Sequence, residues 1–165
     1  LLVSPTADGI PATSGLLADG LMLYNGATHD RGRNNVEVTV LASAVRSADG
    51  SSADFTNYDA RGITLIADVT ANSGTSPTLA FDLVAKDVVS AGYRAFGRSA
   101  NITGNGRFIF QMYPGITSGA STGAIVNGSV IGGLPFALPR TWRLEWVLGG
   151  TGPSFAFSVG GHYTL

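Results

Sequence analysis

The stretch Trp142-Arg-Leu-Glu-Trp-Val-Leu-Gly-Gly-Thr-Gly-Pro-Ser-Phe-Ala-Phe-Ser-Val159 decides the fold. Trp142, Leu144, Trp146 and Leu148 fill every second position, with Arg143, Glu145 and Val147 between them. Phe155, Phe157 and Val159 resume the rhythm against Ala156 and Ser158. A period of two belongs to a strand with one face on a core and the other toward solvent. Gly149 to Pro153, three glycines and a proline in five residues, reads as the connector between two such strands.

Working outward, the same alternation recurs. It runs over Val36, Val38, Val40, Ala42 and Ala44, and again over Ile63, Leu65, Ala67 and Val69. Leu79, Phe81, Leu83 and Ala85 carry it, as do Phe108, Phe110 and Met112. Asn72-Ser-Gly-Thr-Ser76 reads as a second connector, and Gly104-Asn-Gly106 as a tight turn. Weaker strands are expected at 93–97, 124–131 and 161–165, and no stretch offers a helical stripe of useful length. The Gly-rich stretch from Pro114 to Pro139 reads as a loop crossing from one sheet to the other or as a subunit contact. The expected fold is all-β, an antiparallel β-sandwich or jelly roll of about 8 strands.

Residues 1–35 read as an extended N-terminal arm, and residues 36–165 as the sandwich domain. Pro5, Gly9, Pro11, Gly15, Gly20, Gly26 and Gly32 interrupt every potential element of the arm. Ordering it costs roughly 35–70 kcal/mol of backbone entropy, which so short a segment cannot offset internally. The arm is therefore expected to dock on its own sandwich or on a neighbouring subunit.

Composition narrows the function classes. The 165 residues are 44% hydrophobic and only 13% charged, about half the usual charged share, which argues against disorder. The net charge of −1 gives no basic footprint for nucleic acid. The cationic residues are nine arginines and Lys86, scattered along the chain, a skew mildly suggestive of interfaces, where bidentate guanidinium pairing matters. Without cysteine the chain has no disulfide and no thiolate metal ligand. No apolar run reaches the ~20 residues of a membrane span, and no signal peptide is legible.

Chemistry-bearing patterns are few. His29 and His162 stand alone, without a second ligand at metal-binding spacing. Gly119-Ala-Ser-Thr-Gly123 matches a nucleophile elbow around Ser121, but its flanks are low-complexity rather than strand and helix. Asp68, Asp82 and Glu145 fall on outward strand positions; two of them at the right separation could do glycosidic chemistry, but nothing in the spacing lifts that above a solvated face partnered by arginines such as Arg143. Asp49, Asp54 and Asp59 fit no compact calcium loop and read as turn caps. Tyr58, Tyr93, Tyr113 and Tyr163 form a candidate sugar platform, whereas Trp142 and Trp146 read as core. Asn101-Ile-Thr103 and Asn127-Gly-Ser129 match a glycosylation tripeptide common by chance. The residues assign no catalytic, cofactor-binding or metal site.

With the strands laid out, a series of phrases becomes visible: Tyr24-Asn-Gly-Ala-Thr-His-Asp-Arg31, Leu41-Ala-Ser-Ala-Val-Arg46, Thr56-Asn-Tyr-Asp-Ala-Arg-Gly62 and Asp68-Val-Thr70. Tyr113-Pro-Gly115, Leu138-Pro-Arg-Thr-Trp-Arg143 and Pro153-Ser-Phe-Ala-Phe-Ser-Val159 follow. In that order and spacing the chain resembles small structural proteins of tailed-bacteriophage virions with a β-sandwich body. The Gly-rich insert around Ser118–Gly133 departs from the pattern. The resemblance implies a virion component made in the bacterial host cytoplasm, with no enzymatic residues. It implies a capsid decoration (cement) protein that contacts the major capsid protein and copies of itself as a homotrimer, without nucleic acid or membrane. The alternative is a tail or head-fibre component recognising host-surface glycans.

Overall fold

A computed structural model describes residues 36–116 and 129–165, together with the backbone of two short strands in the N-terminal stretch. Those two, β1 (Met22–Tyr24) and β2 (His29–Arg31), pair antiparallel with each other. The rest of the expected arm lies outside the described residues, as does the stretch 117–128 that contains Ser121.

The body is all-β. Its strands are β3 (Glu37–Arg46), β4 (Gly50–Ser51), β5 (Phe55–Thr56), β6 (Gly62–Lys86), β7 (Tyr93–Arg98), β8 (Gly106–Met112), β9 (Ser129–Leu134) and β10 (Thr141–Thr164). They form one 8-stranded sheet with the order β3-β10-β6-β8-β9, to which β4 and β5 add along β10 and β7 along β6. Every pair is antiparallel except β8 with β9, which is parallel.

The sheet becomes two layers because β6 and β10 bend together. Both expected connectors, Asn72–Ser76 and Gly149–Pro153, lie inside long strands and pair with each other: Ser73 with Ser154, Thr75 with Thr151, Thr78 with Gly149. The ladder slips twice on the way, and Gly74, Ser76, Gly150 and Gly152 all take positive φ. Turn-forming residues here make bulges that bend a strand without ending it, the device by which a sheet passes from one layer into the next. The sequence therefore marks the corner correctly and misreads it as two loops.

The halves on either side of this corner face each other. The first layer holds β3, the 155–164 half of β10, the 62–72 half of β6, β8 and β9; the second holds β4, β5, the other halves of β10 and β6, and β7. Three ring contacts span the space between them. Phe81 meets Phe157 edge-on at 5.5 Å, Trp146 meets Phe157 at 6.0 Å, and Trp142 meets Tyr163 at 6.1 Å. The alternating residues of the sequence supply this core: Ile63, Leu65, Leu79, Leu83, Phe110, Leu144 and Phe155 are all buried. Aromatic pairs of this geometry add about 0.5–1.5 kcal/mol each beyond the area they bury.

The structure corrects the strand reading in three places. In β3, Val40 and Leu41 are both buried, because a register shift against Val159 and Gly160 breaks the alternation; Ala42 and Ala44 face solvent at the sheet edge. In β6, the residues from Leu79 to Val84 are buried on both faces, since the outer face is covered by long side chains of neighbouring strands such as Arg98 over Asp82. β9 lies parallel beside β8 where an antiparallel sheet is expected, and the chain that follows it passes to the second-layer half of β10, the crossing read for the stretch from Pro114 to Pro139.

Candidate functional site

The charged groups of the described residues are largely committed within the fold. Asp82, expected on a solvated face, is only 6% exposed and receives both Nε (2.8 Å) and Nη2 (2.7 Å) of Arg98. That fork holds the Arg98 guanidinium above its usual pKa, chiefly through the Asp82 hydrogen bonds. Glu145 is paired, as expected, by Arg143, whose Nε donates at 3.0 Å. Asp68 faces Arg107 at 3.8 Å, and His162 faces Glu37 at 3.7 Å. Asp82 and Glu145 stand opposite each other in the β6–β10 ladder, each with its own arginine, whereas Asp68 lies opposite Ser158 in the other half of β6. Among the described residues no three His, Cys, Asp or Glu side chains come together.

The acidic loop acts as a set of latches. Asp49 Oδ1 accepts the Leu148 amide at 2.7 Å, which ties the loop to β10. Asp54 accepts the Tyr93 hydroxyl at 2.7 Å and Lys86 Nζ at 2.9 Å, which ties the β4–β5 loop to β6 and β7. The Tyr93 hydroxyl first, and Lys86 second, hold the Asp54 carboxyl below the usual carboxylate range. A carboxylate with a depressed folded pKa stabilises above its unfolded value and loses that contribution as pH falls through the folded one. Asp54→Asn therefore lowers the denaturation midpoint at neutral pH, and its difference from wild type shrinks at acid pH as the carboxyl protonates in the folded protein. Urea titrations at neutral and acid pH check this.

The arginines explain the tyrosines. Arg143 lies 3.4 Å from the Tyr93 ring centroid, Arg140 4.8 Å from that of Tyr58, and Arg61 5.7 Å from that of Tyr113. Tyr163 packs on Trp142, and burial pushes its hydroxyl pKa up. Arg46 lies 4.2 Å from the Phe157 ring centroid and donates to the carbonyls of Ala42, Ala44 and Phe157, closing the end of edge strand β3. The Arg-over-Lys skew thus serves planar stacking inside one subunit. Each of the four tyrosines has a ring partner from its own chain, and they form no shared platform.

Besides Val45 on edge strand β3, 72% exposed, and the half-exposed Val36, two apolar features stand out among the described residues. The first is the turn from Asp87 to Gly92, which joins β6 to β7 and presents Val88 and Val89, each 91% exposed. This tip is internally braced. Asp87 Oδ1 accepts the Val89 amide at 3.0 Å, Asp87 Oδ2 accepts the Ser90 hydroxyl at 2.6 Å, and the Asp87 amide donates to the Gly92 carbonyl at 2.7 Å. The Ser90 and Val89 donors hold the Asp87 carboxyl below its usual pKa, and Ala91 takes φ of 56° to complete the turn.

The second is a groove of about 500 Å³ between the edges of β7 and β9, where the Ala100 amide reaches the Ile131 carbonyl at 2.6 Å. Phe96, Arg98, Ile131, Leu134, Pro135 and Phe136 line it. Phe96 and Phe136 meet with ring centroids 5.7 Å apart and stay partly exposed. The tip has no counterpart in the sequence reading, whereas the groove's lining from Ile131 to Phe136 falls in the Pro114–Pro139 stretch read as a crossing loop or a subunit contact. The signal for the tip was two valines where a turn calls for Gly, Asn or Asp; for the groove it was an unassigned Phe136 beside Pro135, whose partner across the fold no spacing reveals.

Ser121 lies outside the described residues, and His29 is placed only as part of β2. No family model, no curated protein and no solved structure matches this chain, so its function is read from these surfaces and from the resemblance noted in its sequence.

Proposed function

We propose that this chain is a non-enzymatic structural protein of a tailed-phage particle, a decoration protein that bridges neighbouring subunits of the major capsid protein on the head surface. The observation that carries this reading is the braced turn with Val88 and Val89 held in water at 91% exposure. Two valines fully buried in place of water contribute about 3–6 kcal/mol, and a braced turn spends little conformational entropy when it docks. A rigid two-layer body with committed charges and exposed apolar points is suited to lying against other subunits. Repetition on a symmetric shell multiplies modest contacts through avidity.

Glycan recognition by a tail or fibre component is the weaker reading, because the tyrosines that would form its platform stack on Arg143, Arg140, Arg61 and Trp142. Mass spectrometry of density-purified particles of the phage whose genome encodes the chain tests the proposal. The expected result is the chain in fixed stoichiometry to the major capsid protein, with heads lacking it breaking at lower temperature. Purified particles without the chain overturn the proposal.

A further inference from the structure

We propose that Asn105 is a site of spontaneous deamidation in the folded protein, its side chain closing on the Gly106 nitrogen to a succinimide that water opens to aspartate and isoaspartate. The inference does not rest on the particle-component reading. An Asn-Gly step is the most susceptible in a chain, because glycine puts no Cβ in the path of the attacking nitrogen and has the widest backbone freedom. Three stand in this sequence, at 25–26, 105–106 and 127–128, and the middle one falls among the described residues.

The fold leaves this step accessible. Asn105 is exposed in the bend after Gly104, and its side-chain amide makes no hydrogen bond among the described residues. Gly106 takes φ of 147°, and a Cβ built there would meet only the Phe108 ring, at 3.5 Å, so there is room for a five-membered ring. Gly106 also forms the last pair of the β6–β8 ladder, opposite Val69, and ladder ends open at little cost.

The other asparagines of the described body are held. Ile102 N, the nitrogen that would attack Asn101, donates to the Leu79 carbonyl at 2.8 Å, and the Ile102 side chain is buried. Asn57 Nδ2 donates to the Ala60 and Leu138 carbonyls while its Oδ1 accepts the Ala60 amide. Asn72 lies opposite Phe155 in the β6–β10 ladder and donates to the Thr103 carbonyl at 3.0 Å. Asp49-Gly50 could close to the same kind of imide by losing water. There the Asp49 carboxylate accepts the Leu148 amide, and a Cβ at Gly50 would lie 2.3 Å from the Trp146 ring.

The reaction needs only water. The Gly106 nitrogen bonds to Asn105 Cγ, the Cγ–Nδ2 bond breaks, and the Gly106 amide proton leaves with the side-chain nitrogen as ammonia. Water then adds to one imide carbonyl. Breaking the bond from Gly106 N to Cγ gives aspartate; breaking the bond from Gly106 N to the main-chain carbonyl carbon of residue 105 gives isoaspartate. Nothing is oxidised or reduced. Either product turns a neutral amide into a carboxylate, taking the net charge from −1 to −2 next to Arg107 and its partner Asp68. Isoaspartate also lengthens the main chain by one methylene immediately before β8, which displaces Gly106 from its pairing with Val69.

Peptide mapping of the full chain, kept folded in mildly alkaline buffer for several days, tests this. Trypsin releases Ser99–Arg107, which carries both Asn101 and Asn105. The expected result is progressive conversion of Asn105 to aspartate and isoaspartate, with isoaspartate the larger share, while Asn57, Asn72 and Asn101 stay intact. Asn105→Gln, whose longer side chain has to close a slower six-membered ring, is expected to stay unconverted at that position. The same chain unfolded in urea under otherwise equal conditions gives the rate that the sequence alone allows. An Asn105 that stays intact in the folded chain, whether or not it converts in urea, overturns the inference. So does conversion of Asn101 to the same extent, or aspartate formed without isoaspartate.

Discussion

Gly150→Ala will destabilise the protein by about 2–6 kcal/mol, although the added methyl is the smallest side chain available. Gly150 sits in the corner where β10 bends, with φ of 98°, and a Cβ there would lie 2.5 Å from the Ser76 carbonyl oxygen and 2.7 Å from that of Thr75. Both obstacles are backbone of the partner strand, so neither can swing away. Strain at that φ and overpacking each cost roughly 1–3 kcal/mol. Gly152→Ala is the control. Gly152 lies in the same corner with φ of 58°, but its Cβ would meet nothing within 4 Å, so only the left-handed penalty of about 1–2 kcal/mol applies. Urea midpoints with unchanged slope measure both. Equal costs for the two variants would mean that β6 and β10 do not pass through the corner as a close pair.

The second large effect is at Trp142. Its side chain is fully buried, stacked on Phe55 with centroids 4.8 Å apart and edge-on to Tyr163, so it fills the seam between β5 and the far half of its own strand. Trp142→Ala is expected to cost about 3–5 kcal/mol, the range for emptying a site of this size. Trp142→Phe is expected to cost less than the alanine variant, since the phenyl ring refills most of the site and leaves only part of the cavity. Moreover, the indole Nε1 is buried without a hydrogen bond of good geometry, although the Tyr163 hydroxyl lies close enough to be affected by it. Replacing the ring removes volume but little bonding. Calorimetry separates the two outcomes; a phenylalanine variant as unstable as the alanine variant would show that the N–H makes a bond that matters.

The fold was legible wherever burial follows the strand period. Ile63, Leu65, Phe110, Leu144, Phe155 and Phe157 all point where alternation puts them. It was illegible where glycine has two possible meanings. Gly74, Gly150 and Gly152 suit a tight connector and a paired bulge equally well, because both require positive φ, and only the cross-strand ladder distinguishes them. The burial of Asp82 was hidden for a related reason. Its partner Arg98 is 16 residues away, across the β6–β7 hairpin, and a register that includes a bulge does not follow from counting. The apolar surface was the least legible part. Val88 and Val89 share the turn with residues that signal exposure, yet Phe96 and Phe136 come together only once β7 and β9 are neighbours.

Electron cryomicroscopy of the phage head, reconstructed with icosahedral symmetry, addresses the decoration reading directly. A bridging subunit predicts density for a two-layered all-β body on the outer shell, at seams where major capsid subunits meet and around threefold positions. Density for the chain confined to the tail axis, or a fully occupied shell with none of it, would contradict that reading.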